Sequence, residues 1–100
     1  MPNLIVADSG PIISFARAGR LQLIRNLYKQ IIIPNAVYEE IVVKGANKPG
    51  ATEVKSASWI TVRKAANRDG VEKLLSGHFD FGESEAIILA GELGGTILRY

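Results

Sequence analysis

The sequence predicts an α/β fold: an open parallel sheet covered by helices on both faces, in three layers. Three observations point to it. Short apolar or β-branched runs alternate with helical patterns along the whole chain, which is the signature of repeated βα units. The first run, Leu4-Ile5-Val6-Ala7, is apolar without alternation and so fits a strand buried on both faces better than a half-exposed hairpin strand. Clusters of Gly, Pro and Asn separate the runs without any linker, repeat or low-complexity tract, so residues 1–100 read as one domain.

Element by element, the first strand covers 4–7 and ends at Asp8. Ser9-Gly10-Pro11 supplies an N-cap candidate and a proline suited to a first helical turn, so a helix over 11–18 should stop at Gly19. A second helix over 21–28 carries one broad stripe of Leu21, Leu23, Ile24, Leu27 and Tyr28. Ile31-Ile32-Ile33, ended by Pro34, is the second buried strand, and Asn35 can cap a helix running to Lys44 before Gly45. Turn chemistry follows over 45–50, then one or two helical turns over 51–57 and a third strand over 59–65. Residues 67–70 form a second turn cluster, and a short helix covers 71–75. Asp80, three residues before Glu83, reads as a capping-box variant opening a helix over 82–93, which Gly94-Gly95 stops. Thr96-Ile97-Leu98 begins the fourth strand. Right-handed crossovers then place any ligand beyond the carboxyl ends of the strands.

Composition narrows the chemistry. The 100 residues carry 12 Lys+Arg against 10 Asp+Glu, a net charge of +2, with 47% hydrophobic residues and no cysteine. A chain this size buries roughly 60–70% of its unfolded surface, enough for one core. Disulfides, a thiolate nucleophile and Cys-ligated zinc are excluded, and the single His78 excludes a multi-histidine metal site. Any metal must be held by oxygen. No stretch approaches the ~20 apolar residues that span a bilayer, and the run at 4–7 is too short for a signal segment, so the expected location is cytoplasmic with no membrane association. The charge balance alone is too small to mark a nucleic-acid binder; the distribution of the basic residues matters more.

Three acidic residues fall where this architecture would gather them. Asp8 follows the first strand, Glu40 lies in the helix after the second, and Glu83 lies in the helix before the fourth. At about 100° per residue, Glu40 sits closer than Glu39 to the apolar arc of Val37, Tyr38, Ile41 and Val42. Glu83 shares a side with Ala86, Ile87 and Ala90, whereas Glu85 lines up with Glu92 toward solvent. Carboxylates crowded together either protonate or recruit a cation, and Mg²⁺ or Mn²⁺ prefers oxygen ligands and activates water against a phosphodiester. A nuclease-type site results.

Simpler roles compete at each position. Asp8 is the one of the three that favours function when taken alone. Glu40 alone reads best as a solvated helix residue, and Glu83 is equally well a capping partner of Asp80. Glu39, Glu53, Glu72, Glu85 and Glu92 read as solvated faces, Asp69 as a turn residue and His78 as an exposed loop residue. Tyr28, Tyr38, Trp59, Phe15, Phe79 and Phe81 read as packing residues, being scattered rather than interleaved with basic residues. No phosphate loop, dinucleotide fingerprint or Asp-x-Asp motif is present, which leaves phosphotransfer through Asp8 a minor alternative.

Three segments taken in order resemble a known family: Val6-Ala7-Asp8-Ser9-Gly10-Pro11-Ile12-Ile13, Ile33-Pro34-Asn35-Ala36-Val37-Tyr38-Glu39-Glu40-Ile41, and Asp80-Phe81-Gly82-Glu83-Ser84-Glu85-Ala86-Ile87. Together they resemble PIN-domain proteins, specifically the VapC-like toxin branch and relatives with a Gly-Glu-x-Glu-Ala-Ile motif. The resemblance implies a PIN-like three-layer fold and an Mg²⁺- or Mn²⁺-dependent endoribonuclease acting on RNA. It also implies a VapB-like antitoxin as partner and a homodimer. By position it makes Asp8, Glu40 and Glu83 metal ligands and catalytic residues, with Ser9 as a supporting hydroxyl; no organic cofactor is implied.

The sequence departs from the family at Leu98-Arg99-Tyr100, where the family's fourth strand runs into one or two aspartates and then further elements. The fourth acidic ligand is missing, and the expectation is a PIN domain truncated after the fourth strand. Such a chain is impaired or inactive unless a partner chain completes its site. The alternative is an active endoribonuclease, the toxin of a VapBC-like pair. Arg17, Arg20, Lys44 and Lys48 are the candidate contacts to the nucleic-acid backbone.

Overall fold

The computed structural model describes residues 4–99. Residues 1–3 and Tyr100, the ends of the expected single domain, lie outside the described part.

Four parallel strands, β1 (Ile5–Ala7), β2 (Ile31–Pro34), β3 (Ile60–Arg63) and β4 (Thr96–Leu98), form one sheet in the order β3-β2-β1-β4. Alternation along each strand feeds a core on each face. Ala7, Ile31 and Ile33 pack on one side with Ile12, Leu21, Ile24, Val37, Ile41 and Val54. Val6 turns to the other side, where it meets Val71, Ala86, Leu89 and Ala90. Fully burying a side chain such as Ile12, Ile24 or Ile33 stabilises the fold by about 1.5–3 kcal/mol each. The expected three-layer α/β/α fold is therefore the one observed.

The helices divide between the faces by connection. Those between β1 and β2, α1 (Ser9–Arg17) and α2 (Leu21–Tyr28), share the first core with those between β2 and β3, namely α3 (Asn35–Tyr38), a π-helical turn (Glu39–Val43) and α4 (Ala51–Ser56). Between β3 and β4, α5 (Arg68–Leu75) and α6 (Phe81–Leu93) cover the opposite face. The strand order thus reverses between β1 and β4, and the crevice at their carboxyl ends is where open α/β sheets bind ligands.

Several local expectations shift. Asp8, not Ser9, caps α1, its Oδ1 accepting the Ser9 N–H at 2.7 Å. Gly19, with φ +68°, follows the last turn as expected of a helix stop. Asn35 is the first helical residue rather than the cap, and Pro34 at the cap offers no side-chain acceptor. The helix expected to run to Lys44 changes after Tyr38 to π geometry, with the Lys44 N–H donating to the Glu39 carbonyl at 2.8 Å. The turn cluster at 67–70 is the start of α5, capped by the Asn67 side chain accepting the Gly70 N–H. Among the packing aromatics, Tyr28 and Phe81 are instead exposed, the latter with the Arg68 guanidinium 5.8 Å from its ring centre.

The largest correction concerns Glu85. Expected on a solvated face, it is 1% exposed, and its carboxylate accepts the Ala36 N–H at 2.8 Å and the Ala65 N–H at 3.1 Å and pairs with Arg68. Helix phasing failed because α6 has no polar side to set the phase. Gly82, Ser84, Ala86, Leu89 and Ala90 are buried and Ile87 and Ile88 half-buried, so the helix is enclosed nearly all round. Glu92 does remain exposed, its carboxylate accepting the Ala66 and Asn67 N–H groups.

Candidate functional site

Asp8 leaves β1 at the switch point. Its own N–H donates to the Leu98 carbonyl at 2.9 Å, which fixes it against the end of β4. Burial raises its carboxyl above the ordinary value; the Ser9 N–H bond opposes that shift, and the negative charges of Asp80, Glu83 and Glu40 add to it. Ser9 reaches Asp8 through its backbone N–H, not its hydroxyl.

Glu40 comes to the same place from the π-helical turn. Its neighbour Glu39 points to solvent while Glu40 is half-buried, the distinction the apolar arc predicted. A Cβ built on Gly82 would lie 3.1 Å from Glu40 Oε1, 3.4 Å from Val37 Cγ2 and 3.7 Å from Asp8 Oδ1. Both carboxylates therefore border one small space, and it stays open because residue 82 has no side chain. Glycine in a helix costs about 1 kcal/mol relative to alanine, so its presence here has a spatial reason.

Glu83 is close enough to act on Asp8 electrostatically, yet its Oε2 accepts from the Arg99 guanidinium at 2.9 Å. Its backbone N–H donates to Asp80 Oδ1 at 2.8 Å, which is one half of the predicted capping box. Among the described residues, no three Asp, Glu or His side chains converge closely enough to form a ready-made metal group. The structure brings together Asp8 and Glu40 and leaves Glu83 beside them, tied to Arg99. Mg²⁺ commonly uses only one or two protein carboxylates and keeps waters or substrate phosphates for the rest, so the oxygen pair over Gly82 fits a hydrated ion of that kind.

Glu40 also lines a cleft of about 430 Å³ with Arg17, Lys44 and Lys48 around an apolar floor that includes Ile13 and Ile41. The carboxylate pair and a basic groove are thus continuous through one side chain. Arg20 lies elsewhere, in a shallow hollow with Phe15 and Leu23. A second cleft, of about 420 Å³, opens near Trp59 at the start of β3, away from the strands' carboxyl ends. Sequence reasoning missed Gly82 and Arg99 as parts of the site and offered Asp80, with Glu85, only as a substitute for the missing fourth ligand; of the two that were missed, Gly82 alone left a local signal, a glycine inside a first helical turn.

The decisive comparison is with protein families: the profile of DUF3368, a PIN domain, matches residues 4–99. The chain belongs to this PIN-domain family. No curated protein and no solved structure gives a significant match. Membership agrees with the four-stranded parallel sheet and points to nuclease-like chemistry on RNA with divalent metal ions, as is general among PIN domains. No helix of the described PIN domain is long and apolar enough to cross a membrane.

Proposed function

We propose that this single PIN domain binds RNA beside a divalent cation held by Asp8 and Glu40, and that the lone chain cleaves poorly unless a partner chain completes the site. The observation that carries this reading is the open space over Gly82, bordered by both carboxylates and continuous through Glu40 with the Arg17, Lys44 and Lys48 cleft. Bound there, Mg²⁺ or Mn²⁺ supplies an activated water and charge neutralisation at a phosphoryl oxygen. Asp8 and Glu40 provide the anionic oxygens, and the Ser9 N–H holds the Asp8 carboxylate in place. Arg17, Lys44 and Lys48 hold the phosphate backbone of a single strand. Impairment follows from Glu83, whose carboxylate is paired with the Arg99 guanidinium instead of being free to share the ion.

The alternative is an active endoribonuclease, the toxin of a VapBC-like pair with a VapB-like antitoxin. It is favoured by the crowding of Asp80, Glu83 and Glu40 around Asp8, whose negative charges add to the rise that burial gives its carboxyl and are relieved by a bound cation. A homodimer is part of both readings, because β4 is an edge strand whose outer side is unpaired among the described residues.

Incubation of homogeneous protein with single-stranded RNA and Mn²⁺ tests the proposal. The expected result is RNA binding, Mn²⁺ binding that Asp8→Asn abolishes, and little cleavage. Rapid Mn²⁺-dependent cleavage lost in Asp8→Asn overturns the impaired reading in favour of an active endoribonuclease. Mn²⁺ binding undiminished in Asp8→Asn removes the site. Light scattering reads the dimer, and a monomeric mass across micromolar concentrations removes that part.

A further inference from the structure

We propose that Arg99 is a resident counter-cation that competes with a divalent metal ion for Glu83 and thereby holds the metal affinity of this rim low; this rests on the reading of Asp8 and Glu40 as the metal-holding pair. Its position is set by the sheet. Leu98 pairs in register with Ala7, and the Asp8 N–H donates to the Leu98 carbonyl, so residue 99 leaves β4 at the level of Asp8. From there its Nη1 reaches Glu83 Oε2 at 2.9 Å. An arginine stays protonated at every working pH, so this charge is permanent.

The carboxylate it holds belongs to a group whose members act on one another. Asp80, Glu83 and Glu40 all push the Asp8 carboxyl upward. By pairing with Glu83, a covalently attached guanidinium offsets that carboxylate's share of the repulsion without any ion from solution. The local capping geometry shows Glu83 turned toward it. Asp80 accepts the Glu83 N–H, but the reciprocal bond of a capping box, from the Glu83 side chain back to the Asp80 N–H, is replaced by the bond to Arg99.

The pair is a competitor rather than a lock because of its exposure. The side chains are 38% and 26% exposed, and ion pairs so placed shift an equilibrium by no more than about fivefold. Repulsion between the guanidinium and a nearby dication adds to this, for a combined effect on the order of tenfold. Asp8 and Glu40 remain available while Glu83 is occupied, so the metal is weakened and not excluded.

Mn²⁺ titration of the full chain, followed by electron paramagnetic resonance, tests this without reference to cleavage. Arg99→Gln is expected to bind Mn²⁺ about tenfold more tightly than the wild-type chain, Arg99→Asp more tightly still, and Arg99→Lys close to wild type because the charge is kept. Asp8→Asn combined with Arg99→Gln is expected to lose binding. Arg99→Gln binding no tighter than wild type, while Asp8→Asn still abolishes binding, overturns the role of Arg99 and leaves the metal pair standing. Binding that is indifferent to Asp8→Asn, or absent from wild type, Arg99→Gln and Arg99→Asp alike, overturns both. Thermal melts of each variant show that folded protein is being compared.

Discussion

Glu85 Oε1 accepts the Ala36 N–H at 2.8 Å, joining residues 49 apart in the chain and capping α3 from the body of α6. The cap that Pro34 cannot supply is thus provided by another helix. The consequence reaches the site, because α3 leads into the turn that carries Glu40 and α6 begins next to Gly82. Replacing Glu85 by alanine leaves the Ala36 and Ala65 N–H groups unpaired in the interior and Arg68 without its carboxylate. The expected loss is about 3 kcal/mol of stability, read as a lower urea midpoint. A midpoint within experimental error of wild type shows that water replaces the carboxylate at no cost and that Glu85 is not what joins the two helices.

Gly82→Ala separates the site from the fold. The added methyl meets Glu40 Oε1 at 3.1 Å, a tight contact, but with the end of a flexible side chain that can move away. Alanine also gains up to about 1 kcal/mol of helix propensity, so the variant is expected to melt at or above the wild-type temperature. Glu40 displaced and the space filled, Mn²⁺ affinity is expected to fall at least about tenfold, the equivalent of losing one good charged contact. Unchanged Mn²⁺ affinity in a normally folded Gly82→Ala protein places the metal somewhere other than this cradle.

These two residues also show how far the sequence could be read. The strands were legible because Leu4-Ile5-Val6-Ala7 and Ile31-Ile32-Ile33 have no polar face, and the choice of Glu40 over Glu39 was legible because Val37 and Ile41 marked the buried side. Glu85 was not, since phasing a helix needs a solvent side and α6 is apolar nearly all round. The π-helical turn left no local mark, as Glu39–Val43 has ordinary helix and strand formers. Arg99 was hidden for another reason. Its role depends on the register of β4 against β1 and on the reach of its side chain to α6, both of which are tertiary facts.

The Asp8 carboxyl gives the fold a pH dependence of definite sign. Folding raises it above the ordinary 3.8, with burial the largest cause, so the folded state holds its proton in a window where the unfolded chain has lost it. Stability therefore falls as pH rises from 3.8 through the raised value, and the loss persists at neutral pH. Asp8→Asn removes the charge and keeps a good N-cap for α1. Calorimetry is expected to show the variant melting above wild type at neutral pH, with the advantage gone below about pH 3.8. A variant that melts lower at neutral pH means that the ionised cap on Ser9 outweighs the burial.

The basic cleft yields a prediction that does not depend on metal at all. Arg17, Lys44 and Lys48 share a groove with Glu40, whereas Arg20 stands apart from it. Phosphates held by these cations release counterions, and each contact to a single strand contributes about 0.7 to the slope of log affinity against log salt. In EDTA, Lys44→Ala and Lys48→Ala are each expected to weaken binding of single-stranded RNA by up to about fivefold and to reduce that slope by about 0.7. Arg20→Ala, equal in charge change, is expected to do neither, which separates a placed contact from a mere loss of positive charge. Equal effects from all three substitutions mean that RNA is attracted to the whole surface and that the groove beside Glu40 does not guide it to the carboxylates.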